Sequence, residues 1–368
     1  MPARQVSARD ARGIPALLAG LIAVSLSACV AGDVFDPDPT TPSATTPSAA
    51  ETALERDVHR AFYNEYEKAA VAVIDDGDVE TVYQRADEDT FYEIGSITKV
   101  LTGELLAIAI ERGEVGLDDP LGSHLPLGDA PAASVTLRSL ATHRSGLPTE
   151  PTDDSWTAEL AAGRNPYTAT LDELLAYARV EPVAPSPEFV YSNLGAALLG
   201  HALAAAAGTD YRTLVEERVF EPLGMDRAVV VQTPEQVPEG HAGGHDVPGD
   251  PVDPWWGEGF APAGLVQATL PDLIALAEAV LDGPLSESAA LVPIAPGTDR
   301  FEQIGYFWWI IEERPRTFTE HAGNTDGFRS HLLIDRYAGV ASIVLVNSQR
   351  DIYPLALRYL VEAETHGD

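Results

Sequence analysis

The sequence predicts a mixed α/β fold of the α+β kind: one antiparallel β-sheet flanked by helices, with an inserted, mostly α-helical domain. Three observations lead there. β-type runs lie near both ends of the chain, helical patterns fill the stretch between them, and no internal repeat divides the sequence. The two groups of strands are therefore assigned to one sheet, and the helical insertion to about residues 115–262.

Taken in order, the folded part begins near Glu51 with a helix expected to run to Tyr66. Ala69 to Asp75 and Val79 to Gln84 are short β-type runs on either side of Asp76-Gly77, a strong hairpin signal. The next helix opens around Ser96, continues through Leu101, Leu105, Leu106, Ile108 and Ile110, and stops at Gly113. Thr136 opens a short helix that ends in Thr142-His143-Arg144-Ser145-Gly146-Leu147-Pro148. His143 and Ser145 invite a catalytic reading, but a helix stop followed by a glycine turn explains them more simply. Leu171 to Arg179 reads as a helix, and Tyr191-Ser192-Asn193 leads into an Ala-rich helix closed by Gly208. Another helix runs from near Tyr211 to Pro222-Leu223-Gly224-Met225. Pro238 to Pro262 reads as a Gly- and Pro-rich loop. Thr269-Leu270-Pro271-Asp272 carries the signature of a capped helix start, and Gly283 ends that helix. Gly305 to Glu312, Phe318 to His321, Phe328 to Asp335 and Gly339 to Val346 read as strands, and a last amphipathic helix spans about Asp351 to Glu362.

The chain has 368 residues with 45% hydrophobic content, enough for one large or two small domains with a real core. Its formal net charge of −34 argues against binding nucleic acid or an anionic membrane through a basic surface. Residues 1–28 read as a signal peptide: Arg4, Arg9 and Arg12 precede an apolar run from Ile14 to Leu26 that is too short for a comfortable membrane span. The segment ends Leu26-Ser27-Ala28-Cys29, which resembles the lipobox of bacterial lipoproteins. That resemblance implies cleavage before Cys29, lipidation of its thiol, and an exported protein held on the outer face of the cell membrane; the alternative is an ordinary cleaved signal with a chance cysteine. Cys29 is the sole cysteine, so stability is expected from the core rather than from disulfides. Residues 29–50, rich in Asp, Pro, Thr, Ser and Ala, read as a disordered tether, and residues 51–368 as the folded domain.

The chemistry centres on Ser96-Ile97-Thr98-Lys99. Residues three apart on a helix share a face, so the serine and lysine stand side by side. A serine hydroxyl needs a base to become a nucleophile, and a lysine serves only when burial leaves its amine neutral. The helix is apolar nearly all round, so burial is expected; the plain alternative is a polar first turn with Lys99 in solvent. Lys68 and Lys99 are the only lysines, and a merely solvating position would have drawn Arg, which the chain uses elsewhere.

Two further pieces follow in order: Tyr191-Ser192-Asn193, and His321-Ala322-Gly323 with Asn324. This ordered set resembles the penicillin-recognising serine hydrolases, which include class C β-lactamases, D-alanyl-D-alanine carboxypeptidases and related esterases. Thr136 to Pro148, Glu221-Pro222-Leu223-Gly224-Met225, Pro262-Ala263-Gly264-Leu265 and Asn324-Thr325-Asp326-Gly327-Phe328 look like further landmarks of that family. The resemblance implies a β-lactamase/transpeptidase-like fold with the site between a sheet domain and a helical domain. It implies Ser96 as the nucleophile that forms an acyl-enzyme, Lys99 as the partner that takes its proton, and Tyr191 as support for acid and base steps. Asn193 is then the amide that bonds the substrate's acyl side and the lysine, and the backbone N–H groups of Ser96 and Asn324 form the oxyanion hole. Read without the resemblance, Tyr191 is a core tyrosine and Asn193 the cap of its helix. Gly323 reads as a strand glycine that lets a ligand approach the backbone.

His321 departs from the many β-lactamases that have Lys there. A free histidine is mostly neutral at pH 7 and so a poorer anchor for a substrate carboxylate, which shifts the expectation toward peptidase, esterase or amidase. Arg329 is a candidate replacement cation. His241-Ala242-Gly243-Gly244-His245 repeats the His-Ala-Gly triplet in a Gly-rich loop; it precedes Pro262-Ala263-Gly264, which excludes it as the third motif, and no third ligand with zinc-like spacing accompanies its two histidines. Trp255 and Trp256, with Trp308 and Trp309, are candidate cleft walls; alternation along a strand lets at most one of the latter pair face the site. The expectation is an exported, membrane-anchored serine hydrolase acting on D-Ala-D-Ala-type peptides, β-lactams or related amides and esters. It would need no metal or organic cofactor and have no nucleic-acid partner. A carboxylesterase using the same residues, and a non-catalytic cell-wall or β-lactam binding lipoprotein, are the alternatives.

Overall fold

Hairpin register starts from a two-residue turn. Asp76 and Gly77 both take positive φ, +47° and +84°, the pairing that matches the right-handed twist of the strands on either side. In the computed structural model, which describes residues 52–162, 165–184, 188–313 and 316–364, the strands are β1 (Ala69–Asp75), β2 (Asp78–Gln84), β3 (Tyr92–Glu93), β4 (Val229–Val230), β5 (Gly244–His245), β6 (Pro251–Val252), β7 (Val266–Ala268), β8 (Ala295–Pro296), β9 (Glu302–Ile304), β10 (Trp309–Glu313), β11 (Arg316–Asn324), β12 (Arg329–Asp335) and β13 (Val340–Val346). The signal segment, Cys29 and the tether lie outside the described residues.

Among the described residues the main sheet has the order β2-β1-β13-β12-β11-β10-β9-β8, antiparallel throughout. The hairpin near the start of the chain is thus joined to the last strands by the pairing of β1 with β13. Side chains alternate across a strand: Ala70, Ala72 and Ile74 face the larger core, while Ala69 and Val71 face the smaller one with Val344, Val346 and Tyr359. The helices are α1 (Ala53–Ala61), α2 (Thr98–Glu111), α3 (Leu137–Ala141), α4 (Asp154–Ala161), α5 (Leu171–Val180), α6 (Asn193–Ala207), α7 (Tyr211–Val215), α8 (Glu221–Leu223), α9 (Ala261–Gly264), α10 (Leu270–Leu281) and α11 (Tyr353–Glu364). α1 and α11 pack on the side of the smaller core, and the other face belongs to one continuous core that also holds α2, α6 and α10.

Several expectations shift. The first helix ends at Ala61 rather than Tyr66, where Phe62 leaves helical geometry (φ −105°, ψ 66°). The strand expected from Gly305 begins only at Trp309, because Phe307 takes φ +64° and Gly305 N–H closes a turn on the Trp308 carbonyl. Helix α4 and the short strands β8 and β9 carry too little periodic signal to be read from the sequence. Asn193 does not cap α6: that role falls to Ser192, whose hydroxyl accepts from Gly195 N–H at 2.8 Å.

Helix α2 is buried nearly all round, including Lys99 and Glu104. Glu104 accepts from Trp308 Nε1–H at 2.9 Å and from the Ser288 hydroxyl, yet burial pushes its carboxyl up to about 7. A carboxyl raised in the fold stabilises most below its unfolded value, and the benefit fades as pH rises through about 7. Glu104→Gln is therefore expected to hold its stability better between pH 5 and pH 8 than the parent, by up to roughly 3 kcal/mol. Urea unfolding of both proteins at the two pH values checks this; parallel losses would rule it out.

Candidate active site

Gly95–Ile97 forms a turn of 3₁₀-helix that runs straight into α2. Strand β3 lies immediately before it and pairs with β7, so Ile94 N–H reaches the Val266 carbonyl at 3.1 Å. This fixes the 3₁₀ turn against the Pro262-Ala263-Gly264-Leu265 segment. A second clamp comes from the large sheet. A Cβ on Gly323 would lie 2.0 Å from the Ile94 carbonyl, and one on Gly95 2.7 Å from Asn324 N. The sequence assigned Gly323 to ligand approach; here it is the chain itself that approaches, with Ser330 Oγ–H donating to the Ile94 carbonyl at 2.8 Å.

Between these clamps Lys99 is fully buried. Its Nζ lies 2.9 Å from Ser96 Oγ and donates to the Ala263 carbonyl at 2.6 Å. Burial lowers the amine to about 7, against the opposing field of Glu150. Near neutral pH a substantial share of the protein therefore holds an amine whose lone pair can accept the Ser96 proton. Tyr191 also hydrogen-bonds Ser96, but burial raises its phenol above the usual value, so it stays protonated and is suited to giving a proton rather than taking one. The lysine nitrogen sits 5.0 Å from the Tyr191 ring centre.

His143, which the sequence reading assigned to a helix stop, belongs to this group. It takes φ +56°, its Nδ1 accepts from Ser192 N–H at 3.1 Å, and its ring stacks on Tyr191 with centres 4.3 Å apart. Burial drives its basicity well below that of a free imidazole, with Lys99 adding to the effect. His143 is thus a neutral prop for Tyr191.

His321 is buried, with Nδ1–H donating to its neighbour's carbonyl, Ala322 O, at 2.8 Å and Nε2 left without a partner. Burial, reinforced by Lys99, lowers it to about 3. It presents a lone pair, not a charge, toward its surroundings. Arg329 pairs in register with Asn324.

Ser96, Asn193 and Asn324 line one pocket with Tyr167, Trp255 and Phe260, so Asn324, expected to supply the second oxyanion donor, stands on the same cavity as the nucleophile. Trp255 is held by its backbone N–H on Glu93 Oε1 (2.8 Å) and its indole N–H on Asp326 (3.3 Å). Trp308 is core, and Trp309 packs on Phe189. Asn193 does not bond Lys99; its amide nitrogen donates to Glu150 Oε1 at 2.5 Å and to the Tyr167 hydroxyl at 3.3 Å. Glu150 and Tyr167 escaped the sequence reading. Glu150 lies two residues beyond the Gly146-Leu147-Pro148 landmark, and that position was its only signal. His241 stands 3.5 Å from Glu93 Oε1, and among the described residues no group of three or more His, Cys, Asp or Glu side chains could hold a metal ion.

The family model described as Beta-lactamase matches residues 60–365. The chain belongs to the beta-lactamase family. By family and fold it stands with the serine hydrolases of the penicillin-recognising kind. D-alanyl-D-alanine-carboxypeptidase/endopeptidase AmpH of Escherichia coli (strain K12) is 31% identical over 207 residues, covering 52% of this chain and 53% of that protein. Penicillin-binding protein 4 of Amycolatopsis lactamdurans is 24% identical over 314 residues, 76% of this chain and 80% of that one. The chain spans about half the length of the curated relatives it matches first. A class C beta-lactamase from Rhodobacter sphaeroides superposes with a TM-score of 0.70 at 22% identity, over 85% of this chain and 98% of that one. The D-alanine carboxypeptidase AmpC from Burkholderia cenocepacia gives 0.69 at 22%, over 83% and 96%. At such identities the likeness is one of fold: the beta-lactamase-family sheet and helical block, with Ser96 at their junction.

Proposed function

We propose that this beta-lactamase-family protein hydrolyses amides and esters of the D-alanyl-peptide type through an acyl-Ser96 intermediate, and that it works outside the cytoplasm on a lipid anchor at Cys29. The observation that carries the catalytic part is the buried amine of Lys99, 2.9 Å from the Ser96 hydroxyl and lowered to about 7. The steps follow from it. Lys99 takes the proton as Ser96 Oγ adds to the carbonyl, the backbone N–H groups of Ser96 and Asn324 meet the developing oxyanion, and the leaving group departs with a proton passed through Lys99 and Tyr191. Water then repeats the sequence on the ester. The export part rests on the sequence of residues 1–29.

Neutral His321 supports a peptidase or esterase over a fast β-lactamase, because an imidazole lowered to about 3 offers no charge to a substrate carboxylate. The same observation favours the second reading, a carboxylesterase, whose substrates need no carboxylate anchor. Intact-mass measurement of residues 33–368 mixed with benzylpenicillin is expected to show a slowly lost adduct equal to one penicillin. Rapid penicillin turnover would favour a β-lactamase. The absence of any adduct or turnover would favour the esterase, checked next with p-nitrophenyl acetate.

A further inference from the structure

We propose that the pocket beside Ser96 accepts hydrogen bonds on its acyl side, and so selects amides and esters whose acyl part carries a free ammonium next to the scissile carbonyl. This inference rests on the hydrolase reading above and names its substrate class.

The argument is a count of donors. The Asn193 amide nitrogen has two hydrogens. One goes to Glu150 Oε1 at 2.5 Å and the other to the Tyr167 oxygen at 3.3 Å. Tyr167 cannot return a donor to the pocket, because its own hydrogen goes to Glu150 Oε1 at 2.6 Å. A carboxylate accepts only, so Glu150 fixes which way the Asn193 amide is turned: nitrogen inward, leaving Oδ1 for the pocket that Asn193 lines. An acyl group that needs a donor there, such as an acylamino carbonyl, finds none from Asn193. An ammonium finds an amide oxygen backed by a carboxylate whose second oxygen, Oε2, is buried without a partner. The walls agree. The Tyr167 and Trp255 rings lie 4.4 Å apart and line the pocket with Phe260, and aromatic faces attract cations. Burial raises the Glu150 carboxyl, while its bonds to Tyr167 and Asn193 and the field of Lys99 work to keep it ionised; a cationic substrate would add to that pull.

The chemistry balances as hydrolysis. Ser96 Oγ bonds to the aminoacyl carbon, the bond to the leaving amine or alcohol breaks, and that group leaves with the proton Lys99 took from Ser96. Water then adds to the ester, the Oγ–carbon bond breaks, and the free amino acid departs as Ser96 regains its hydrogen.

The test compares D-alanine p-nitroanilide with its N-acetyl derivative at pH 7, where an α-amino group with a pKa of about 8 is charged. The protein is expected to prefer the free amine by at least about tenfold in kcat/KM, the size of one good charge-assisted contact. Glu150→Gln, which can donate to Asn193 Oδ1 and let the amide turn, is expected to collapse that ratio, mainly through KM for the free amine. Preference for the N-acetyl substrate, or equal losses on both substrates in Glu150→Gln, would overturn the proposal. A fluorophosphonate probe on the same preparation separates the two readings: labelled Ser96 with the wrong preference sinks only this inference, and unlabelled Ser96 sinks the hydrolase reading with it.

Discussion

Replacing Ser96 with Ala will remove covalent labelling and lower kcat/KM by on the order of 10⁴-fold or more, the scale seen when the nucleophile of a covalent mechanism is deleted. The size follows from the geometry. No other hydroxyl is bonded to Lys99, whose described partners are Ser96 Oγ and the Ala263 carbonyl. A neighbouring serine such as Ser192 cannot substitute, because its hydroxyl donates to the Pro148 carbonyl at 2.6 Å while accepting from Gly195. Loss of the side chain leaves the two backbone clamps in place, so the variant should fold and still bind substrate. Mass spectrometry with a fluorophosphonate probe, together with steady-state assays, checks both halves; an adduct on the alanine variant would place the nucleophile elsewhere. A non-catalytic binder would show unchanged ligand affinity and no turnover in either protein.

Lys99→Arg should reduce acylation by roughly 10²- to 10⁴-fold, the range for loss of a positioned general base. Arginine cannot shed its proton in a protein, so the substitution keeps a cation and removes the base. The pH profile makes the assignment sharper. Lys99 is lowered by burial to about 7, so the neutral, active form grows as pH rises through that value, and kcat/KM should climb along an acid limb centred there. Tyr191 is raised instead and would put any limb of its own on the alkaline side. In Lys99→Arg the limb near neutrality should vanish along with most of the rate. Retained activity, or an unchanged limb in the residual rate, would move the base to another group.

How far the sequence reached depends on the kind of signal each residue left. The hairpin was legible because Asp76-Gly77 sits between two β-type runs, and β13 because a strand buried along its whole length reads as a continuous run of Val, Ile and Leu. Ser96 and Lys99 were legible because a helical spacing carries its own geometry, and because a chain this poor in lysine gives each one weight. Glu150, Tyr167 and His143 were not. They meet Asn193 and Tyr191 only after loops of irregular backbone fold together, and no local period encodes such a meeting. His143 was read only in part for a related reason: the Gly146 and Pro148 that follow it mark a helix stop, which it is, while its ring, which serves Tyr191, left no local signal. Asn193 illustrates the reverse. Its side-chain type suits a cap, but the residue before it takes that role and frees the amide for the pocket.

The pairing of β1 with β13 sets the order in which this protein can come into being. The strand that neighbours the first one is the last in chain order among the described residues, and it occupies the interior of the sheet, not its edge. The main sheet therefore cannot close before β13 has been made. The segment bearing Ser96 emerges early but has no β11 to rest against until most of the polypeptide exists, and ring closure over so long a separation is slow compared with local helix formation. Synthesis thus passes through a long interval in which the nucleophile is present and its workplace is not, so a partly made chain should be inert, and hydrolytic competence should arrive late and all at once.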